Sequence, residues 1–222
     1  MRVALIGAGN MGGAMLRGWI AGGVDGLQVV DPNIADNLKA EVEASGVTVL
    51  ADIGALQACD IIILAVKPQG IGPVLEALAA VRKDGFAIIS VAAGISQTRL
   101  SEHFAEGLAV VRAMPNTPAL VGRGVTVCHG NHGVDAALRD AVTKLLSAIG
   151  SVEWIEYEAQ MDAVTGLSGS GPAYVYRMAE AMAQAGVELG LEPALAMRLA
   201  RATVSGAGEM LHASPEEAAT LR

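Results

Sequence analysis

The sequence predicts an α/β protein, a doubly wound parallel sheet followed by an all-helical C-terminal domain, on three observations. Short runs rich in β-branched residues alternate with longer amphipathic stretches through the first two thirds of the chain. Those runs are continuously apolar, as strands covered on both faces must be. From Gln160 onward only helical patterns remain. Alternation of this kind is how a doubly wound sheet is built.

The strand-like runs lie at 3–6, 28–30, 48–50, 61–66, 86–91 and 108–112, and the helical stretches between them at 11–21, 34–44, 70–81 and 97–104. After Pro118 the pattern changes. Residues 124–129 read as another strand, 134–149 as a helix and 152–155 as a short strand. A helix over 172–189 opens with Pro172 and stops at Gly190, and a second over 193–211 opens with Pro193; proline suits the first helical turn and glycine the position just past the last. The expected division is a dinucleotide-binding domain over 1–155 and a helical domain over 156–222.

Composition narrows the class. With 52% hydrophobic residues among 222 the chain can bury a large core, and with only 3% aromatics that core is aliphatic. A net charge of −8 without any Lys/Arg cluster argues against a nucleic-acid partner. No apolar stretch is long enough for a membrane span, and the chain enters a strand at once, leaving no room for a signal peptide. Cys59 and Cys128 sit in apolar runs and read as small buried hydrophobes. The expected setting is cytoplasmic.

The first strand runs directly into Gly7-Ala8-Gly9-Asn10-Met11-Gly12 and then a helix. Glycine at 7 allows the tight turn, at 9 the approach of a pyrophosphate to main-chain N–H groups, and at 12 close packing of helix on strand. The helix N-terminus adds unpaired donors and a positive dipole end. G-x-G-x-x-G alone is weak; between a strand and a helix at this position it marks a Rossmann-type dinucleotide site, holding NADH or NADPH. Asp31 ends the second strand and admits two readings. Its carboxylate can accept from a ribose 2′-hydroxyl, favouring NADH, and Asp31-Pro32-Asn33 is also good turn chemistry.

Further motifs fall at strand C-termini, where open α/β sheets bind ligands: Ala65-Val66-Lys67-Pro68, Ala92-Ala93-Gly94 and Met114-Pro115-Asn116-Thr117-Pro118. Another, Thr165-Gly166-Leu167-Ser168-Gly169-Ser170-Gly171-Pro172, opens the long helix. With the glycine loop, this set resembles the pyrroline-5-carboxylate reductases from residue 2 to about 212. The resemblance implies NAD(P)H-dependent reduction of 1-pyrroline-5-carboxylate to L-proline, the last step of proline biosynthesis, by a homodimer or larger homo-oligomer assembled through its C-terminal helices. It implies that Gly7, Ala8, Gly9, Asn10, Met11 and Gly12 hold the pyrophosphate, that Ala65, Val66, Lys67 and Pro68 line the ribose side, and that Ala92, Ala93, Gly94, Met114 and Pro115 lie near the nicotinamide. Asn116, Thr117, Thr165, Ser168, Gly169, Ser170, Gly171 and Pro172 are then the substrate-pocket candidates. Family chains continue into a Ser-Pro-Gly-Gly-Thr-Thr-type loop and further helices, whereas this sequence stops at Leu221-Arg222; the 222-residue chain is therefore expected to bind cofactor but turn over poorly.

No Ser–His–Asp set, paired carboxylates or obvious catalytic lysine accompanies these motifs, which suits hydride transfer to an iminium that needs positioning more than acid catalysis. Lys67 reads either as a cofactor contact or as a solvated residue before a proline turn. Ser168, Gly169, Ser170 and Gly171 read as a carboxylate-binding helix start, against an ordinary N-cap by Ser170. Cys128-His129-Gly130-Asn131-His132 lacks further ligands at metal spacing and reads as a surface loop. Two rivals remain: a β-hydroxyacid dehydrogenase, opposed by the lack of any lysine after Lys144, and a non-catalytic NAD(P)-binding sensor or scaffold.

Overall fold

The apolar runs pair into one sheet of eight strands in the order β3-β2-β1-β4-β5-β6-β7-β8. A computed structural model describes all residues from Met1 to Arg222. The strands are β1 (Val3–Ile6), β2 (Leu27–Val30), β3 (Thr48–Leu50), β4 (Ile61–Leu64), β5 (Ala87–Ser90), β6 (Val110–Met114), β7 (Gly124–Gly130) and β8 (Gly150–Trp154). Helices α1 (Asn10–Ala21), α2 (Asp36–Ala44), α3 (Ile71–Val81), α4 (Gln97–Ser101) and α5 (Ala136–Leu146) connect them.

The continuous apolar strands split their side chains between two cores, as the period of two demands. Leu5, Val29, Ile63, Ile89 and Val111 face one core, with Met15, Leu16 and Trp19 of α1 and Val142 and Leu146 of α5. Ala4, Ile6, Ile62, Leu64 and Ile88 face the other, with Ile71, Leu75 and Leu78 of α3. Each fully buried Leu or Ile contributes about 1.5–3 kcal/mol. Trp19, completely buried, donates from Nε1 to the carbonyl of Leu145 at 2.9 Å, tying α1 to α5.

The sheet is parallel except where β7 runs antiparallel to β6. A parallel return needs a crossover of a dozen or more residues, usually a helix. Between β6 and β7 there is only a 3₁₀ turn, Thr117–Val121, closed by Gly122 at φ +67°. The chain therefore doubles back, and α5 then carries it over to β8, parallel to β7. Strand order reverses between β2 and β4 on either side of β1, which opens a crevice at the C-terminal ends of these strands.

Two compact units divide the chain, Met1–Gly169 and Ser170–Arg222. The first continues past β8 through a 3₁₀ turn at Glu158–Gln160, α6 (Met161–Val164) and a π-helical turn at Thr165–Gly169. The sheet ends at Trp154, and the first unit runs on beyond the boundary expected after residue 155, to Gly169.

The second unit holds α7 (Gly171–Glu188), α8 (Pro193–Ala213) and α9 (Ala218–Leu221). Gly190 takes the left-handed conformation, φ +95°, and the N–H of Leu191 returns to the carbonyl of Gly186 at 3.0 Å, ending α7 as its glycine predicts. Glu192 caps α8 by accepting from the N–H groups of Ala194 and Leu195 at 2.9 and 2.8 Å. Small residues let α7 and α8 approach: Ala183, Ala196 and Ala200 are its buried side chains, while Tyr176, Met178, Leu199 and Met210 stay exposed. So much uncovered apolar surface on a helical pair marks an association face. No helix is long and apolar enough to cross a membrane.

Candidate active site

The glycine loop has the geometry its motif requires. Gly7 sits at φ +98°, and a Cβ there would lie 2.8 Å from the carbonyl oxygen of Ala65. A Cβ on Gly12 would lie 2.1 Å from the carbonyl oxygen of Gly7, so only glycine lets α1 start this close to β1. Gly9 differs: nothing lies within 4 Å of where its Cβ would be. It is the N-cap of α1, contributes no side-chain cap, and is exposed together with Asn10. The result is a twelve-residue helix whose N-terminus has an open, Cβ-free approach, which a dinucleotide pyrophosphate fits. Met11 is half-buried behind it.

A cleft of about 590 Å³ lies beside this loop, lined by Gly7, Asp31, Asn33, Asp52, Ile53 and Val74 among others. Asp31 is fixed in it by two bonds: Oδ2 accepts from the N–H of Ala8 at 2.7 Å and Oδ1 from the N–H of Asn33 at 2.8 Å. The turn reading of Asp31 is thus present, and so is a brace on the glycine loop that sequence spacing does not reveal. Val66 also lines the cleft, while Ala65 backs Gly7 and Lys67 is exposed ahead of the 3₁₀ turn Pro68–Gly70. At the end of β5, Ala92 is buried with its N–H directed to Ser90 Oγ at 3.3 Å; Ala93 and Gly94 are exposed, the latter at φ +74°.

The two most specific motifs meet. Asn116 accepts at Oδ1 from the N–H of Val125 at 3.0 Å and donates from Nδ2 to the carbonyl of Ser168 at 3.1 Å. Its amide clamps the loop after β6 to the π turn. Met114 completes the contact, its sulfur 3.8 Å from the Cβ position of Gly169. Pro115 is buried beside it and Thr117 exposed. The 165–169 stretch is not the free helix start expected from sequence but a π turn continuous with α6, a form often found at functional sites. Thr165 and Ser168 donate their hydroxyls to the carbonyls of Met161 and Val164 at 2.8 and 3.1 Å. With those donors spent, both hydroxyls offer lone pairs and act on any ligand as acceptors. Ser170, Gly171 and Pro172 open the second unit; Ser170 provides no side-chain cap to α7.

Sequence reasoning missed a polar network in this unit. Glu158 Oε1 accepts from Arg112 Nη1 at 2.7 Å and from the N–H of Gln97 at 2.9 Å. Gln97, buried, donates from Nε2 to the carbonyls of Val110 and His129. Burial pushes the Glu158 carboxyl up, but the Arg112 bond, the Gln97 N–H and the nearby positive charge outweigh it, so the group sits below its ordinary value. The network ties the segment after Gly94 to the turn leading into α6. A charged Arg112 at the end of an apolar strand was the one signal available.

The two cysteines lie outside this site. Both cysteines are free and buried, and desolvation pushes the Cys128 thiol up to about 12 despite the charge of Arg139. His129 Nε2 lies 3.3 Å from the carbonyl oxygen of Glu156. No three His, Cys, Asp or Glu side chains are grouped to hold a metal ion.

Comparison with known proteins points one way. Residues 158–222 match the family model described as pyrroline-5-carboxylate reductase dimerisation, and residues 2–94 match one described as NADP oxidoreductase, coenzyme F420-dependent. The chain is 41% identical to a pyrroline-5-carboxylate reductase of Pseudomonas aeruginosa, over 100% of this chain and 82% of that protein. It is 37% identical to that of Corynebacterium melassecola, over 99% and 83%. Among solved structures, the Coxiella burnetii pyrroline-5-carboxylate reductase superposes with a TM-score of 0.91 at 34% identity, covering 100% of this chain and 83% of that one. The Plasmodium falciparum enzyme, solved with NADP bound, does so with a TM-score of 0.82 at 30% identity, covering 100% and 82%.

Proposed function

The chain belongs to the pyrroline-5-carboxylate reductase family, and we infer from that membership and its site how it performs the family's reaction. It is an NAD(P)H-dependent oxidoreductase that reduces 1-pyrroline-5-carboxylate to proline, and it works as a homo-oligomer. The reduced nicotinamide supplies the hydride. Reduction of the C=N bond consumes that hydride and one proton, and the ring nitrogen already carries the proton when the imine enters as its iminium.

The protein's task is then to hold two reactants in line and keep the iminium protonated. Gly7, Ala8, Gly9, Asn10, Met11 and Gly12 take the pyrophosphate at the α1 N-terminus, and the cleft with Asp31, Asn33 and Asp52 takes the adenosine end. Ala65, Val66, Lys67 and Pro68, then Ala92, Ala93 and Gly94, then Met114 and Pro115, follow the cofactor toward its nicotinamide. Asn116, Thr117, Thr165, Ser168 and Gly169, all of the first unit, border the substrate. Acceptor hydroxyls at Thr165 and Ser168 suit the N–H⁺ of an iminium, which a donor would oppose. Orientation of this kind supplies several kcal/mol of the barrier reduction by itself. The exposed apolar faces of α7 and α8 carry the association between subunits.

The observation that carries this reading is the Asn116 clamp, which joins the 114–118 loop to the π turn within the unit that holds the glycine loop. It is tested by Ser168→Ala assayed with pyrroline-5-carboxylate. Loss of an acceptor at the iminium raises KM or lowers kcat at unchanged NADH affinity, and a variant with native kcat/KM removes Ser168 from the pocket.

A further inference from the structure

We propose that this protein selects NADH over NADPH, through the carboxylates of Asp31 and Asp52. The inference rests on the cleft beside the glycine loop being the adenosine site. Of its lining side chains, Asp31, Asn33 and Asp52 are polar, and neither lysine nor arginine is among them.

A 2′-phosphate brings about −1.5 to −2 of charge and acceptor oxygens only. It needs donors, and the main-chain donors at the end of β2 are already spent, so the lining offers it the uncharged Asn33 amide and no cation. The N–H groups of Ala8 and Asn33 both point into the Asp31 carboxylate, at 2.7 and 2.8 Å. These bonds also hold the Asp31 charge in place, so it cannot swing aside to admit an anion. Asp52 is anchored in the same way, accepting from the N–H of Ala55 at 3.2 Å. On α1, Arg17 is committed to Glu41 in a bidentate pair at 2.8–3.0 Å. Ribose hydroxyls, by contrast, are donors, and each carboxylate oxygen keeps a lone pair for them. The site therefore welcomes a 2′-hydroxyl and repels a 2′-phosphate. That a relative at 30% identity was solved with NADP bound concerns the residues of that protein.

The test is equilibrium binding of NADH and of NADPH to the native protein, by tryptophan-to-nicotinamide energy transfer or calorimetry, at low and high salt. NADH should bind at least about tenfold tighter, equivalent to about 1.4 kcal/mol. The advantage should shrink in high salt, because screening weakens charge repulsion and leaves steric exclusion untouched. In D31N/D52N the affinity for NADPH should rise in absolute terms, which damage to the loop does not produce. D52N alone, whose amide oxygen still accepts from Ala55, should shift the ratio the same way to a smaller extent. Equal or tighter binding of NADPH to the native protein overturns the proposal, as does a ratio unmoved by D31N/D52N; a ratio unmoved by D52N alone removes Asp52 from it. Failure of both dinucleotides to bind would instead sink the adenosine-site reading beneath it.

Discussion

Asn116 makes the sharpest prediction about how the fold positions the chemistry. Its amide bonds both the N–H of Val125 and the carbonyl of Ser168, at 3.0 and 3.1 Å. A net hydrogen bond contributes about 0.5–1.5 kcal/mol, so Asn116→Ala should cost about 1–3 kcal/mol. At about 2–4 °C per kcal/mol for a chain of this size, Tm should fall by roughly 2–12 °C. Asn116→Asp keeps the acceptor for Val125 but sets a carboxylate oxygen against the Ser168 carbonyl, severing only the link to the π turn. If that link positions the pocket, both variants should lower kcat/KM for pyrroline-5-carboxylate by about tenfold or more. NADH affinity should stay within about threefold, a change of under about 1 kcal/mol, since the glycine loop shares no bond with Asn116. Calorimetric melting, cofactor titration and steady-state kinetics on the three proteins decide it. An Asn116→Asp protein with native kcat/KM would refute the clamp as a positioning device.

Other sites yield separate tests. If the pyrophosphate takes the open space at Gly9, as proposed, Gly9→Val should abolish dinucleotide binding while circular dichroism stays native; Gly12→Ala should instead destabilise the fold, its Cβ meeting the carbonyl oxygen of Gly7. Glu158 has its pKa lowered in the folded state, so it stabilises the protein above its ordinary carboxylate value and loses that contribution as pH falls through the folded value. Urea titrations of Glu158→Gln should therefore converge with the native protein at acid pH and diverge toward neutrality; parallel curves would exclude the linkage. On α7 and α8, Tyr176→Glu with Met210→Glu places charge on two exposed apolar positions and should shift sedimentation toward a smaller species; an unchanged species would place the subunit interface elsewhere.

What the sequence made legible follows from which signals are local. The six strands β1 to β6 announce themselves by continuous apolar runs, and the glycine loop by a spacing whose steric reasons hold at Gly7 and Gly12. The reversal at β7 depends on the length of one connection, and apolar patterning carries no strand direction. The π turn has no residue signature, so Thr165 and Ser168 read as a free helix start although their hydroxyls are bound within the helix. Asp31 shows the limit most clearly. Its turn role is written in Asp31-Pro32-Asn33, but its bond to Ala8 joins residues 23 apart. The Arg112–Glu158–Gln97 network likewise spans 46 and 61 positions and exists only once the sheet has formed.

The central claim, that this chain delivers a hydride to a cyclic imine, is tested most directly by turnover. Protein expressed from its complete reading frame is mixed with 1-pyrroline-5-carboxylate and NADH, and proline is quantified against the loss of reduced-nicotinamide absorbance. One proline should form for each reduced nicotinamide consumed, with no consumption when the imine is omitted. A folded protein that binds NADH and forms no proline would contradict it.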